Sequence, residues 1–186
     1  MNGGMEMEMD GKTEQKTGNV HYPSILDTAT VCISFLFFNK KALYNLLLNK
    51  LNNFNLITLA LVSYLIPFKS PFTGKYEFFE FEPMIEGILM AAFFLFFLVM
   101  LCQRKVNSVM PLVRIILAME VIAIISPVSF FLSGMALNIF IGLYFTWYIT
   151  MSIFAFSHLN RYGYYRATIS VLLAFFLTQL MPAVLS

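Results

Sequence analysis

VIAIISPVSFFLSGMALNIFIGLYFTWYITMSIFAFSHLN, residues 121–160, contains no Asp, Glu, Lys or Arg. A single helix of about 40 residues would measure about 60 Å, roughly twice the hydrocarbon thickness of a bilayer. The segment therefore has to fold back on itself. Its strongest turn signal is Ser133-Gly134, with Pro127 shortly upstream. The sequence predicts two membrane helices that meet in a tight hairpin near Gly134.

Composition supports a membrane protein throughout. Hydrophobic residues make up 59% of the chain and charged residues 12%, whereas a soluble domain is about a quarter charged. Membrane-spanning backbone must satisfy its own hydrogen bonds, which leaves helices or closed barrels. Runs such as AAFFLFFL, residues 91–98, do not alternate as barrel strands do. The predicted fold class is therefore all-α, a polytopic transmembrane helical bundle.

The net charge and the two cysteines give no indication of a nucleic-acid or metal-binding function. A net charge of +2 with scattered basic residues gives no indication of nucleic-acid binding. Cys32 and Cys102 lie in apolar runs and share no metal-ligand spacing, so no metal or cofactor is expected. No set of residues defines a reaction, so we do not expect an enzyme.

The chain divides into three predicted parts. Residues 1–22 are polar and acidic and predict a disordered tail. Residues 23–50 predict an amphipathic, interfacial segment, because an apolar face (Leu43, Tyr44, Leu46, Leu47, Leu48 and Leu51) lies opposite Lys41, Asn45, Asn49 and Lys50. Residues 28–38 are apolar but too few to span alone, so whether they span with their neighbours, re-enter or lie on the surface stays open. Residues 51–186 predict the transmembrane domain.

Five spans are predicted within that domain, over residues 51–68, 87–103, 108–131, 135–157 and 167–186. The basic residues fall on alternate loops: Lys40, Lys41 and Lys50 before the first span, Arg104 and Lys105 after the second, Arg161 and Arg166 after the fourth. The positive-inside rule then puts the N-terminus in the cytoplasm and the C-terminus outside. Which membrane is spanned is not defined by the sequence.

The last third of the chain resembles the Yip1-domain family in its layout. An apolar, Trp-containing span (MALNIFIGLYFTWY, residues 135–148) follows a very short hairpin, and a basic loop (HLNRYG, residues 158–163) leads to a small-residue start of the last span (RATI, residues 166–169). The resemblance covers about residues 30–186. It implies five spans, a cytosolic N-terminus and no catalysis.

Glu120 is the leading candidate site residue, because it lies near the middle of the predicted third span. An acid at that depth costs several kcal/mol unless it is paired or protonated. Matching depths across antiparallel spans predicts polar neighbours, namely Thr146, Thr150, Thr178, Gln179 and Ser63. Glu120 then either relays a proton or ion or binds a small polar substrate, or it donates a hydrogen bond to Gln179 or a threonine and holds the bundle together.

Arg114 precedes Glu120 by six residues, which places the two side chains about 120° apart around a helix. We therefore expect Arg114 to extend to the cytosolic interface rather than to pair with Glu120. Trp147 and Tyr148 are predicted to pack and to form an interfacial aromatic belt with Tyr162, Tyr164 and Tyr165.

Two functions remain open on this evidence. The first expectation is a non-enzymatic membrane-organising or scaffold protein of Yip1-like type, acting through protein partners or a homo-oligomer among the membrane lipids. The alternative is a small transporter or channel subunit built around Glu120. A solid, Phe-packed interior favours the first, and a lined, water-accessible cavity that reaches Glu120 favours the second.

Overall fold

The computed structural model describes residues 23–69, 76–77, 81–101, 109–159 and 163–185. Within these ranges the protein is helical, apart from two paired strands of two residues each. The all-α prediction is therefore confirmed. The predicted tail (residues 1–22) and the basic loop residues Arg104, Lys105 and Arg161 lie outside the described residues.

The chain begins with two short helices that form a hairpin, α1 (Ile25–Leu36) and α2 (Lys40–Leu48). Ser24 and Asp27 cap the start of α1 reciprocally, and Asn39 Oδ1 accepts the Lys41 backbone N–H at the start of α2. Phe38 reverses the chain between them with a φ of 59°. The buried side of α2 (Ala42, Leu43 and Leu46) packs on the protein core.

The predicted first span is shorter as a helix than expected. After a 3-10 turn, Lys50–Asn52, α3 covers Asn53–Tyr64, and its 12 residues measure about 18 Å. Pro67 lacks an N–H and disfavours helix in the residue before it, so the chain leaves the helix there. It continues into strand β1 (Phe68–Lys69), which pairs antiparallel with β2 (Tyr76–Glu77). The structure therefore confirms four long apolar helices and leaves the fifth span as a prediction.

The four helical segments long and apolar enough to cross a bilayer are Met84–Leu101, Met110–Phe131, Gly134–Leu159 and Tyr164–Met181. They correspond to α4 (Phe81–Leu101), α5 (Met110–Met119) with the helix that follows it, α6 (Gly134–Leu159) and α7 (Tyr164–Leu185). α4 begins six residues before the predicted 87–103. Pro83 is compatible with the first turn of a helix, where its missing N–H leaves no hydrogen bond unmade.

The helix that contains Glu120 changes type at that residue. α5 ends at Met119, and a 3-10 helix covers Glu120–Phe131. Runs of 3-10 helix longer than three or four residues are uncommon, and this one contains Pro127, which has no N–H to donate. A 3-10 helix rises about 2.0 Å per residue, so the segment reaches about 24 Å instead of about 18 Å. The hairpin that follows is at Gly134, with a φ of 53°, as predicted.

Two groups of buried side chains form the core. One joins α1, α2 and α3 to α5 and α6, and the other joins α4 and α7 to the same two helices. Ile115 belongs to the first group and Ile116 to the second. α5 and α6 therefore stand at the centre of the bundle, and Glu120 lies at the end of α5.

Candidate functional site: an acidic pocket between the helices

Glu120 is held by a tyrosine. The hydroxyl of Tyr148 on α6 donates to Glu120 Oε1 at 3.1 Å. Tyr64, the last residue of α3, lines the same cavity as Glu120. The hydrogen-bonding partner of the carboxyl group is thus a hydroxyl group, and no described basic side chain pairs with it.

A cavity of about 170 Å³ reaches this carboxyl group. Five elements of the bundle contribute to its wall: the end of α3, the first half of α4, the start of the 3-10 helix, the middle of α6 and the second half of α7. Its polar side chains are Tyr64, Glu120, Tyr144, Tyr148, Thr178 and Gln179. The described lining residues thus include one acid and no base.

Gly87 makes a close contact between α4 and Tyr64 possible. A Cβ atom added to Gly87 would lie 2.9 Å from Cε1 and 3.1 Å from Cδ1 of the Tyr64 ring. Real Cβ atoms do not approach other atoms so closely, so a side chain here would displace the ring. The absence of a side chain lets α4 pass against the Tyr64 ring, which lines the cavity together with Glu120.

The predicted polar neighbours of Glu120 separate into two groups. Gln179 lines the cavity with Glu120, and so does the buried Thr178. Thr146 and Thr150 are exposed, and their hydroxyls donate to carbonyls of their own helix at 2.7 Å each, those of Gly142 and Thr146. The expectation that Glu120 meets a threonine of α6 is therefore wrong, and Tyr148 takes that place.

Arg114 is buried against α2 and α3 instead of extending away from the bundle as predicted. Its side chain is only 4% exposed. Nε donates to Asn53 Oδ1 at 2.6 Å, and an Nη donates to the Leu47 carbonyl at 2.8 Å. The guanidinium thus holds the end of α2 and the start of α3, and it takes no part in the Glu120 pocket. The hairpin of α1 and α2 covers it, which explains why it stays buried.

Trp147 and Tyr148 are also more than parts of an aromatic belt. The Trp147 indole N–H donates to the Leu36 carbonyl at 3.1 Å, at the C-terminal end of α1. The rings of Phe38 and Trp147 pack in a tilted arrangement with their centroids 5.6 Å apart. Neighbouring residues of α6 therefore serve different purposes, since Trp147 holds the α1–α2 hairpin and Tyr148 holds Glu120.

No protein-family model, curated protein or solved structure was found to match this chain. The resemblance to the Yip1-domain family accordingly stays a prediction. The arguments about function below depend on the site alone.

Proposed function

We propose that this protein is a small transporter or channel subunit that takes up a small cation or polar solute at Glu120. The observation that supports the proposal is the cavity of about 170 Å³ that Glu120 lines. An ionisable group inside a membrane protein marks a substrate, ion or proton pathway by default, because its burial is costly. A cavity beside it supplies the space that a purely structural acid does not need.

The position of the cavity suggests where a solute enters. Gly87 lies near the start of α4 and Gln179 near the end of α7, and both line the cavity. Antiparallel helices bring the start of one to the end of the other. The cavity therefore extends from the helix junction at Glu120 toward the end of the bundle that also carries Gly134, and we propose entry from that side.

The alternative, a membrane-organising scaffold that acts through protein partners, expects Glu120 only to hold helices together. In that case Glu120→Gln, which keeps the shape and a hydrogen-bonding group, preserves both stability and activity. The two proposals thus differ in what this one substitution does.

Electrical recording from proteoliposomes on a solid support tests the proposal. Gradients of protons, Na⁺ and tetramethylammonium are imposed in turn, and the current is compared with that of empty vesicles. We expect a current with at least one gradient, lost in Glu120→Gln. The matched control is Glu86→Gln, which removes an exposed acid at the start of α4 that does not line the cavity.

Two results would overturn the transporter proposal. One is no current above empty vesicles for any of the three gradients. The other is an unchanged current in Glu120→Gln. A melting temperature of the variant within a few degrees of the wild type ensures that lost current means lost transport and not lost fold.

We also propose that the predicted first span, residues 51–68, crosses the membrane as a fifth span, although α3 is short. Asn53 contacts Arg114 near one end of the helical segment Met110–Phe131, and the Lys69 ammonium donates to the Leu132 carbonyl at the other end. Between Arg114 and Leu132 the chain rises about 33 Å, which is close to the hydrocarbon thickness of about 30 Å. The turn after Tyr64 and strand β1, Phe68–Lys69, carry the chain on beyond the end of the helix.

With five crossings, the basic residues put the N-terminus in the cytoplasm and the C-terminus outside. Lys40 and Lys41, both exposed at the turn between α1 and α2, then lie at the cytosolic surface, and that hairpin is the interfacial segment. Labelling with a membrane-impermeant thiol reagent tests this in a chain with Cys32 and Cys102 replaced. Lys50→Cys and Lys75→Cys should label from opposite sides, and labelling from the same side would contradict the fifth span.

A further inference from the structure

Aromatic rings dominate the wall of the Glu120 pocket. Three phenylalanines (Phe94, Phe145 and Phe175) line it together with the three tyrosines Tyr64, Tyr144 and Tyr148. The rings contact one another around the cavity: Phe94 lies 6.1 Å from Tyr148 between centroids, and Phe145 lies 5.9 Å from Tyr144 and 6.3 Å from Phe175. The acid thus shares the cavity wall with six aromatic side chains.

One carboxyl group among aromatic rings matches the chemistry of an organic ammonium ion. Such a cation is attracted to the face of an aromatic ring, and recognition of alkylated ammonium groups by aromatic cages is a known use of that attraction. Its alkyl groups pack on the rings, while Glu120 supplies the opposite charge. A neutral solute would leave that charge unmatched.

The donor set is poorly suited to a divalent metal ion. Ca²⁺ takes six to eight oxygen ligands, and Mg²⁺ demands close to octahedral oxygen geometry. Among the described residues of the wall, Glu120 is the sole carboxylate, and most of the other surface is aromatic or aliphatic. Within the same described part of the chain, no three His, Cys, Asp or Glu side chains come together as a metal site.

The volume of the cavity also indicates the size of ligand for which it has room. An apolar cavity of about 150 Å³ accommodates a molecule of the size of benzene, about six non-hydrogen atoms. The Glu120 pocket, at about 170 Å³, therefore has room for a small amine or a tetraalkylammonium ion with methyl groups.

We propose that the ligand of the Glu120 pocket is a small organic ammonium ion, bound by the Glu120 carboxylate and the aromatic rings that line the cavity. This inference rests on the proposed function, because it names the class of solute that the same pocket takes.

Isothermal titration calorimetry on the full chain in detergent tests it with tetramethylammonium chloride as the probe. NaCl and KCl at the same ionic strength test for a bare cation, and tert-butanol, of similar shape, tests for a neutral ligand. We expect saturable heat with tetramethylammonium alone.

Three variants test the two halves of the site. Glu120→Gln should weaken tetramethylammonium binding by about tenfold or more, because the opposite charge is lost. Phe145→Leu removes one ring from the wall and should weaken binding by about two- to fivefold, the scale of one cation–π contact. Phe176→Leu is the matched control, since Phe176 is exposed beside the pocket and does not line it; its binding should equal that of the wild type.

The outcomes separate this inference from the proposed function. Saturable binding of Na⁺, K⁺ or tert-butanol that needs Glu120, without binding of tetramethylammonium, overturns the ammonium class and keeps the pocket as a solute site. No binding of any probe by folded protein counts against both. If Glu120→Gln fails to fold, equal effects of Phe145→Leu and Phe176→Leu on tetramethylammonium binding overturn the aromatic part of the site.

Discussion

The buried guanidinium of Arg114 gives the sharpest test of the tertiary structure. The side chain is buried and connects three elements. It projects from α5 and donates hydrogen bonds to Asn53 at the start of α3 and to Leu47 at the end of α2. Asn53→Ala removes one of these acceptors and leaves the charge in place. Arg114→Met removes the charge and keeps an apolar side chain of similar length.

The expected cost follows from the geometry. Nε and Asn53 Oδ1 lie 2.6 Å apart, and a hydrogen bond to a charged group contributes about 1.5–3 kcal/mol to stability. Asn53→Ala should therefore lower the free energy of unfolding by about 2 kcal/mol. The double variant Asn53→Ala with Arg114→Met should cost less than the sum of the single variants, because the second change removes the group that the first leaves without its acceptor.

Unfolding in detergent measures these energies, with the fluorescence of Trp147 as the signal. The chain contains one Trp, and its indole donates to Leu36 on α1, so its emission reports on the attachment of the α1–α2 hairpin. Asn138→Ala, at an exposed position of α6, is the matched control and should change stability by less than about 0.5 kcal/mol.

Equal stabilities of Asn53→Ala and Asn138→Ala would refute this reasoning. So would strict additivity in the double variant. Either result would mean that the guanidinium reaches water, as the sequence alone suggests, and that the α1–α2 hairpin does not cover it.

Two further substitutions test contacts at the pocket and at the hairpin. Gly87→Ala should push the Tyr64 ring aside, lower the free energy of unfolding by about 1–3 kcal/mol and weaken tetramethylammonium binding. The control Gly142→Ala, with open space around it, should be neutral or stabilising by up to about 1 kcal/mol. Equal effects of the two variants in thermal unfolding would argue against the close contact. Trp147→Phe keeps an aromatic ring but removes the donor to the Leu36 carbonyl, so unfolding followed by circular dichroism should show a loss of about 1 kcal/mol, and an unchanged melting temperature would show that the hydrogen bond is not made.

Depth in the membrane could be predicted far better than direction around a helix. Depth matching assigned residues 146–150 of α6 to the level of Glu120, and Tyr148, in the middle of that range, is indeed the partner. Thr146 and Thr150 each differ from Tyr148 by two residues, which is about 200° around a helix, so they face away. Apolar residues occupy all sides of α6, so its sequence contains no signal for which side faces the core.

Arg114 illustrates a second kind of limit. A long basic side chain in the first half of a membrane helix can extend to the interface, and sequence reasoning favours that outcome. Its actual acceptors lie 61 and 67 residues earlier in the chain. Only the folding of α2 and α3 over α5 brings an amide and a free helix-end carbonyl to the guanidinium, and no local pattern encodes that approach.

By itself, the sequence determined the class of the protein, the four long apolar helices and the hairpin at Gly134. These are properties of continuous stretches, since hydrophobicity, length and a turn residue are read along the chain without knowledge of neighbours. The tertiary structure alone decided the hydrogen bond between Tyr148 and Glu120, the cavity beside it and the burial of Arg114. Each of these depends on how helices rotate and pack against segments distant in sequence, where the free energy comes from shape and paired polar groups rather than from local composition.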